Sequence, residues 1–451
     1  MYRKKPTRRL GGILLLSLAL GTAPLGAESA AEIQRLRAQI AELSQRLDTL
    51  ETSRPAEPPA AAAANQPTVA LGASGLRVST PDRKFDLRVN ATVHVDGRFY
   101  FDGAPGTAPN DFLLRRVRPR LRGTFNEDFS FDIQPEFAGN SATLLDANIN
   151  WRITPAFQIR AGQGKAPVGL ERLKAGPALH FIERAYATSL LPNRDVGLML
   201  HGNLPDSVGT YAVSLSNGTA DGSNALRATA ADNRTVSARL FLTPFAGDRD
   251  HALSGLGLGI AGTHGKQDRA PAVYRTIGQQ TFFSWAGGTT ADGEVTRFSP
   301  QAYFYSGPLG IVAEYAHSAQ DVSRVVDGTR REAKIKNDAW NVLASYFFTG
   351  EANAFGVVNP SNPWGGDGIG AFEGVILISQ LNIDADAFPL YANVATSARR
   401  ATTYGAGINW HLNRNVKASL NYTLTEFSGG ENGNITARDE KALFTRLQFA
   451  F

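Results

Sequence analysis

Four arginines recur at every second position in one short stretch of the chain, Phe112 to Phe125, which reads FLLRRVRPRLRGTF. The four are Arg116, Arg118, Arg120 and Arg122. A guanidinium group stays charged at any ordinary pH, and its parallel N–H donors fit two oxygens of one phosphate or carboxylate group. In an extended chain the four groups would stand about 6.6 Å apart. The row is therefore suited to passing an anion from one arginine to the next.

The spacing predicts a β-strand with two unlike faces. Successive side chains of a strand point to opposite faces, so Leu113, Val117, Leu121 and Phe125 form the second row. A soluble sheet would bury this apolar row in a core. In a closed barrel in a membrane the apolar row faces lipid, and the arginine side chains point inward to a water-filled lumen. We interpret the stretch as the wall of a pore that attracts anions. An alternative is that the arginines only hold the wall and an inward loop together, through ion pairs with Asp146, Glu171 or Glu183.

Composition limits the class of protein. The chain has 451 residues, 43% of them hydrophobic, a formal net charge of +5 and no cysteine. Beyond the N-terminus no window approaches the ~20 apolar residues that a spanning helix needs, which excludes a helical membrane protein but leaves a β-barrel open. Without cysteine there is no disulfide, thiol catalysis or cysteine zinc site. The seven histidines are scattered and none has the spacing of metal ligands.

The first 75 residues predict three segments ahead of the barrel. Residues 1–27 have the basic start, apolar run and small residues of a secretory signal, and the apolar run is too short for a membrane anchor. Residues 28–52 carry an apolar seam at steps of three and four, typical of a short coiled coil; the alternative is a helix on the protein's own surface. Residues 53–75 begin as a Pro/Ala-rich linker. The seam consists of Ile33, Leu36, Ile40, Leu43, Leu47 and Leu50.

Over residues 76–451 alternation between apolar and polar residues persists, interrupted by turn-like breaks. We count about sixteen strands, an even number that lets an antiparallel barrel close, and we expect the longer connections at one end and the tight turns at the other. A soluble β-sandwich or propeller is the competing fold. The expected strands are 87–99, 112–125, 129–137, 145–153, 157–164, 196–203, 209–216, 234–245, 252–264, 296–306, 309–320, 333–348, 371–384, 398–412, 416–427 and 440–451.

One long segment, Lys165 to Arg194, has no two-residue period. A loop of this size in a compact fold is usually functional, and in a barrel it can fold into the channel as a constriction loop. Its cations, together with Arg160 on the preceding strand, are further candidates for the anion pathway: Lys165, Arg172, Lys174, Arg184 and Arg194.

These features together resemble the phosphate- and polyphosphate-selective porins of Gram-negative outer membranes, the O/P porin family. The resemblance rests on the arginine strand followed by Glu127-Asp128-Phe129, on the run Gly164 to Glu171, and on Phe181 to Ala185. Two further runs of the sequence, Gly197 to Gly202 and Tyr346 to Glu351, also carry the resemblance. The family implies a homotrimer of sixteen-stranded barrels, each narrowed by an inward loop, with an arginine ladder leading to a central site built with lysines. By that resemblance the four arginines are ladder members, and Lys165 and Lys174 are candidates for the central site.

The expected function is thus an anion-selective channel for phosphate or its oligomers across the outer membrane. A general or weakly anion-selective porin is the nearest alternative. An outer-membrane barrel enzyme and a structural barrel tethered to the cell wall are two others. We expect no enzymatic activity, cofactor, metal or nucleic acid. The expected partners are small anions, outer-membrane lipid, two further copies of the chain and, through the terminal Phe451, the barrel assembly machinery.

Overall fold

The computed structural model describes residues 27–52, 66–101, 109–139, 141–224, 233–429 and 439–451. Apart from Ala27, the export signal expected over residues 1–27 lies outside the described residues, and so do residues 53–65 of the expected linker. The chain divides into two compact units, residues 1–65 and 66–451. In the described part of the chain, no helix is both long enough and apolar enough to cross a membrane.

The N-terminal unit contains one helix, α1 (Ala27–Thr52). Its apolar seam is exposed to solvent in the single chain: the five members from Ile33 to Leu47 are 50–63% exposed. Arg46 and Glu42 form an ion pair one helical turn apart, at 3.0 Å. The helix therefore presents an apolar stripe, while its pairing with other copies stays a prediction.

The second unit is built from strands. In chain order they are β1 (Thr68–Gly72), β2 (Gly75–Ser79), β3 (Phe85–Phe101), β4 (Asp111–Phe125), β5 (Phe129–Glu136), β6 (Thr143–Thr154), β7 (Phe157–Lys165), β8 (Arg194–Asn203), β9 (Gly209–Ser216), β10 (Thr235–Leu242), β11 (Leu256–Arg269), β12 (Tyr274–Arg275), β13 (Thr281–Phe283), β14 (Thr290–Ser306), β15 (Leu309–Val326), β16 (Thr329–Phe347), β17 (Ala371–Asn382), β18 (Arg400–His411), β19 (Val416–Ser428) and β20 (Glu440–Ala450). Between them lie a short helix α2 (Leu170–Leu173) and 3-10 turns at Gly176–Ala178, Tyr186–Leu190, Pro205–Ser207 and Ala385–Ala387.

Sixteen of these strands, β3–β11 and β14–β20, form a closed antiparallel barrel. The ring closes where β20 pairs with the second half of β3, from Lys441↔Phe101 to Ala450↔Thr92. The expected barrel is confirmed, and each expected strand corresponds to one observed strand. Strands β12 and β13 form a separate hairpin.

The hairpin β1–β2 extends the wall beyond the ring, because β2 pairs with the first half of β3, from Leu76↔Val89 to Ser79↔Asp86. Strand β1 lies within residues 53–75, which composition predicted to be a linker. That prediction was wrong for Thr68–Gly72, where the alternating Val69 and Leu71 form the strand.

The two faces of the wall have the polarity of a membrane barrel. On β18 and β19 the outward residues Tyr404, Ile408, Leu420 and Tyr422 are 41–53% exposed. The inward residues beside them, Asn409 and Asn421, are buried. An apolar outer face and a polar lumen are the reverse of a soluble protein and suit a barrel in lipid.

Because neighbouring strands are antiparallel, connections alternate between the two ends of the barrel. The tight connections at 126–128, 307–308 and 412–415 define the turn end, whereas the end of β3 at Phe101, the start of β4 at Asp111 and the segment 166–193 lie at the loop end. Connection length does not follow this division everywhere. The long segment 348–370 lies at the turn end, whereas β15 and β16 meet at the loop end in a tight Asp327-Gly328 turn whose two residues have positive φ.

The inner loop, residues 166–193, folds into the barrel and packs against one side of it. Phe181, Tyr186 and Leu190 of the loop join a buried apolar cluster with Phe282, Phe283 and inward residues of β15–β18. This packing fills the lumen beside those strands. Open space remains against β3–β10, where the arginine strand lies.

Candidate functional site

The four arginines of β4 lie on the inner face of the barrel. Register places Arg116, Arg118, Arg120 and Arg122 opposite His94, Thr92, Asn90 and Arg88 of β3. All four line a cavity of about 950 Å³ that reaches from the inner loop to the turn end, where Arg414 and Phe451 are. We call this the inner cavity. The alternation of β4 thus positions the row as the spacing predicted.

A β-bulge changes the first part of that strand. Register shifts between His94↔Arg116 and Val95↔Leu114, which leaves Arg115 as the extra residue. Leu113 consequently lies opposite Asp96 on the inner face, and its expected outward position was wrong. The bulge brings Arg115 to the lumen as well. The doublet Arg115-Arg116 breaks strict alternation and is the feature of the sequence that indicates the bulge.

The row arginines differ in how far their charge is compensated. Arg118 Nε donates to Glu136 Oε2 at 2.5 Å, and Arg120 donates to both carboxylate oxygens of Asp132. Arg116 and Arg122 bond instead to uncharged groups, His94 Nδ1 at 3.0 Å and Asn90 Oδ1 at 2.7 Å. The ion pairs with Asp146, Glu171 and Glu183 that sequence reasoning proposed for the row do not form. Among the described residues, Arg116 and Arg122 therefore have no carboxylate partner.

Side chains of the barrel wall hold the inner loop in place. Glu314 accepts the backbone N–H groups of Leu170 and Glu171 at 2.7 and 3.1 Å, and Asn421 accepts that of Ile182 at 2.7 Å. Lys417 Nζ donates to the carbonyl of Leu179 at 2.8 Å. Side chains of β15 and β19 thus satisfy backbone groups that would otherwise be buried without a partner.

The two lysines expected at a central site are occupied by the protein itself. Lys165 is the last residue of β7, and its Nζ donates to the carbonyls of Leu173 and Lys174 at 3.0 and 3.1 Å. It lines the inner cavity, but Lys174 does not. Lys174 is 3% exposed, contacts His180 Nε2 at 2.6 Å and lies 5.3 Å from the ring of Phe355. Burial lowers the pKa of Lys174 to about 7. The expectation that Lys174 faces the anion path was wrong.

The other predicted cations do reach the cavity. Arg160 lines it and donates to the Lys165 carbonyl at 3.0 Å. Arg194, the first residue of β8, lines it while donating to both oxygens of Asp146 at 3.0 Å. Sequence reasoning missed Arg239, a single basic residue in the middle of β10, which also lines the cavity. Its guanidinium lies 4.5 Å over the ring of Phe241 and donates to Gln301 at 3.1 Å.

A second cavity of about 320 Å³, the outer cavity, lies on the other side of the inner loop. Arg115, Arg172 and Arg184 line both cavities. Arg184 donates to the carbonyls of Glu171 and Lys174 at 3.0 and 2.8 Å, and Arg172 donates to that of Thr188. These three residues, the shared arginines, therefore border both cavities.

Glu183 balances part of the charge at this position. It is 4% exposed and accepts from Arg115 at 2.6 and 3.0 Å and from Arg98 at 3.1 Å, with Arg446 at 3.7 Å. Burial alone would raise the pKa of Glu183, but the charges of these arginines, above all Arg115, hold it far below its usual range. The carboxylate thus stays ionised and fixes Arg115 beside the inner loop.

The charge of the inner cavity is strongly one-sided. Two aspartates, Asp132 and Asp146, are the acids among its described lining residues. Against them stand twelve arginines and Lys165; the arginines are Arg88, Arg115, Arg116, Arg118, Arg120, Arg122, Arg160, Arg172, Arg184, Arg194, Arg239 and Arg414. Converging cations in a cavity with low-dielectric walls attract anions and repel cations. Among the described residues no cluster of His, Asp or Glu could hold a metal ion.

Comparisons with known proteins agree with this architecture. The family model described as phosphate-selective porin O and P matches residues 87–451. An uncharacterised protein of Caulobacter vibrioides is 24% identical over 88% of this chain and 84% of its own length. The outer membrane channel DcaP of Acinetobacter baumannii superposes with a TM-score of 0.53 at 12% identity, over 82% of this chain and 98% of that one. An anion-selective porin from Comamonas acidovorans superposes with a TM-score of 0.51 at 12% identity, over 81% and 100%. At such identities the structures establish the fold alone.

Proposed function

Since the chain belongs to the family of phosphate-selective porin O and P, we propose that it is an anion-selective channel through which phosphate or polyphosphate diffuses along the arginines of the inner cavity. The chain is a porin of the Gram-negative outer membrane, as its family and its closed sixteen-stranded barrel indicate. With the turn end towards the periplasm, as usual in such barrels, the inner cavity opens to the periplasm and the outer cavity to the exterior.

The observation that carries the proposal is the excess of arginine over acid in the lining of the inner cavity. An anion entering from outside would meet the shared arginines first and then Arg116, Arg118, Arg120 and Arg122 in turn. Neighbouring members of the row stand on one strand face at about 6.6 Å. Ion pairs at Arg118 and Arg120 weaken the hold on the anion at those two steps, which favours release over trapping.

A general or weakly anion-selective porin is the second candidate. What favours it is the same pairing of Arg118 and Arg120, together with the loss of both expected central lysines to protein contacts. In that case the arginines bias selectivity without binding phosphate.

Single-channel recording in a planar bilayer distinguishes the two candidates. Chloride conductance of the wild type is measured while phosphate is titrated at constant ionic strength. The test variant is Arg122→Gln, because Arg122 forms no ion pair among the described residues and its loss leaves no carboxylate unpaired. The matched control is Arg331→Gln, an exposed arginine near the β15–β16 turn that lines neither cavity.

Phosphate should block the wild type and the control alike, and the block should be about tenfold weaker in Arg122→Gln, since one charged hydrogen bond is worth about 1.5 kcal/mol or more. A large conductance with weak selectivity and no phosphate block would establish the general porin. Failure of the wild type to conduct would contradict both.

We also propose that the channel is a homotrimer. Strands β5–β10 have 8–12 residues, close to the minimum for crossing the membrane, whereas β14–β16 have 17–19. The side of the barrel formed by the short strands β5–β10 carries large exposed apolar residues such as Ile149, Leu198 and Val236, and it suits contact between copies. The mass of the detergent-solubilised protein by light scattering tests this, and a monomer would contradict it.

A further inference from the structure

The inner loop carries a buried histidine whose two ring nitrogens both contact ionisable groups. His180 is 6% exposed; its Nδ1 lies 2.5 Å from Glu373 Oε1 on β17, and its Nε2 lies 2.6 Å from Lys174 Nζ on the same loop. A carboxylate accepts a hydrogen bond and an ammonium group donates one. The ring is therefore neutral, with its hydrogen on Nδ1 and a lone pair on Nε2.

The barrel wall holds His180 through both its ring and its backbone. Glu373 is 1% exposed and also accepts from Asn409 Nδ2 at 2.8 Å and from His411 Nε2 at 3.1 Å. Asn409 Nδ2 donates in addition to the backbone carbonyl of His180 at 2.7 Å. Residues 174–180, which we call the loop tip, are thus attached to β17 and β18 at His180.

The groups around His180 and Lys174 carry both signs of charge. Among the described residues, Glu373 is the carboxylate that contacts the ring, and Lys417 of β19 adds a second cation nearby. Burial and the charge of Lys174 lower the pKa of His180 to about 4, against the opposing effect of Glu373. The titratable groups that face the two residues or their contacts are Glu171 of α2, Tyr305 of β14, Glu373 of β17, His411 of β18, Lys417 of β19 and, beside His411, Glu351.

A second proton on the pair is incompatible with this arrangement. A protonated imidazole donates from both nitrogens and accepts at neither, so its Nε2–H would point at the Lys174 ammonium group. Lys174 is 3% exposed and lies 5.3 and 5.9 Å from the rings of Phe355 and Tyr305. Since water is excluded there, the repulsion between the two cations is poorly screened. Protonation of His180 therefore breaks its contact with Lys174.

The packing of the inner loop determines where a released tip can move. The loop fills the lumen beside β15–β18, whereas the inner cavity lies on its other side. Three residues of the tip, Ala175, Gly176 and Pro177, already line that cavity. A Cβ on Gly176 would be 3.1 Å from Arg116 Nη1, so the tip lies directly beside the arginine row. Release of the tip consequently narrows the anion path.

We propose that His180 is an acid-sensitive anchor of the inner loop: a proton taken from solution onto Nε2 separates it from Lys174, and the loop tip moves into the inner cavity and closes the channel. A released His180 has its ordinary pKa of 6.5, whereas the anchored one has the lowered value of about 4. The anchored form is thus fully favoured above 6.5. Below it the ratio of anchored to released loop should fall by about tenfold per pH unit until about pH 4.

Single-channel conductance in potassium chloride tests the proposal between about pH 7.5 and about pH 4.5, above the range in which Glu183 is expected to take up a proton. The wild type should lose conductance as the pH falls. His180→Gln keeps a donor and an acceptor but does not titrate, so it should conduct as the wild type at neutral pH and lose the acid step. Lys174→Met should move the step to lower pH, because the cation that opposes protonation is gone. The matched control is His201→Gln, a cavity-lining histidine bonded to Asn150, which should keep the step.

Thiol labelling tests the same movement without conductance. The chain has no cysteine, and Ala178 in the tip is 7% exposed, so Ala178→Cys introduces a single covered thiol. Its reaction with dithiodipyridine, relative to that of the denatured protein at the same pH, should be faster at about pH 5 than at about pH 7.5. In Ala178→Cys/His180→Gln the two relative rates should be equal.

Two results would overturn the proposal. One is a wild-type conductance and a relative labelling rate that do not change with pH over this range. The other is an acid step that persists in His180→Gln or disappears in His201→Gln, which would assign the step to other groups. A wild type that does not conduct would contradict the channel function, and thiol labelling would still decide whether His180 anchors the loop.

Discussion

Removing the charge of Arg115 should lower the anion selectivity of the channel and leave the inner loop intact. Arg115 is 29% exposed and lines both cavities, so a permeating ion passes close to it. In Arg115→Gln the partner Glu183 is still held by Arg98 at 3.1 Å and approached by Arg446 at 3.7 Å. The constriction should therefore keep its shape while it loses one positive charge.

Coulomb's law gives the size of the effect. An anion about 5 Å from a guanidinium is stabilised by about 0.8 kcal/mol in the dielectric of water and by about 3 kcal/mol at an effective dielectric near 20. The lower figure changes the partition of a monovalent ion about fourfold. The anion loses this factor and the cation gains it, so the anion-to-cation permeability ratio should fall by about sixteenfold, and by less at high salt.

The assay is the reversal potential of single channels under a potassium chloride gradient. Glu183→Gln should shift selectivity in the opposite direction, and the double variant Arg115→Gln/Glu183→Gln should return to within about twofold of the wild type, because the net charge is restored. Arg331→Gln is the control for an arginine outside the cavities. An unchanged reversal potential in Arg115→Gln, with wild-type conductance, would refute the assignment of Arg115 to the constriction.

Three further predictions concern the inner loop. Lys174→Met should leave selectivity unchanged. Because burial lowers the pKa of Lys174 to about 7 from the ordinary 10.5, the free energy of unfolding of the wild type in urea should rise by about 4 kcal/mol from pH 7 to pH 10.5. A similar rise in Lys174→Met would contradict the burial of the charged group. The depressed pKa of Glu183 contributes stability that is complete above the ordinary value of 4.5 and is lost as the pH falls below it. The free energy of unfolding should therefore fall less steeply with decreasing pH in Glu183→Gln than in the wild type. At neutral pH the variant should be about 3 kcal/mol less stable. Gly405→Val should change the single-channel conductance, because a Cβ at this position would be 2.6 Å from the ring of Phe181 in the inner loop. Ala406→Val, on the outward face of the same strand, should leave the conductance unchanged. Equal conductances in the two variants would show that Phe181 does not position the loop.

Much of the candidate site could be predicted from the sequence because a strand has a fixed period of two. That period placed Arg118, Arg120 and Arg122 on one face and identified Lys165 to Arg194 as the segment without a strand pattern. Leu113 was misplaced and Arg115 was missed because a bulge shifts the period by one residue, and only the pairing with β3 reveals it. Arg239 was missed because a single arginine in an alternating strand does not indicate what it faces across the barrel.

The sequence by itself determined the closed barrel, its sixteen strands and the polarity of its two faces. These follow from local alternation and from turn chemistry, which each segment carries on its own. The roles of individual charges were decided only by tertiary structure. Whether Lys174 faces an anion or lies buried beside Phe355, and whether Arg116 meets a carboxylate or only His94, depends on residues far apart in the chain. The physical reason is that the free energy of a charge depends on its partners and on its exposure to water, and folding sets both.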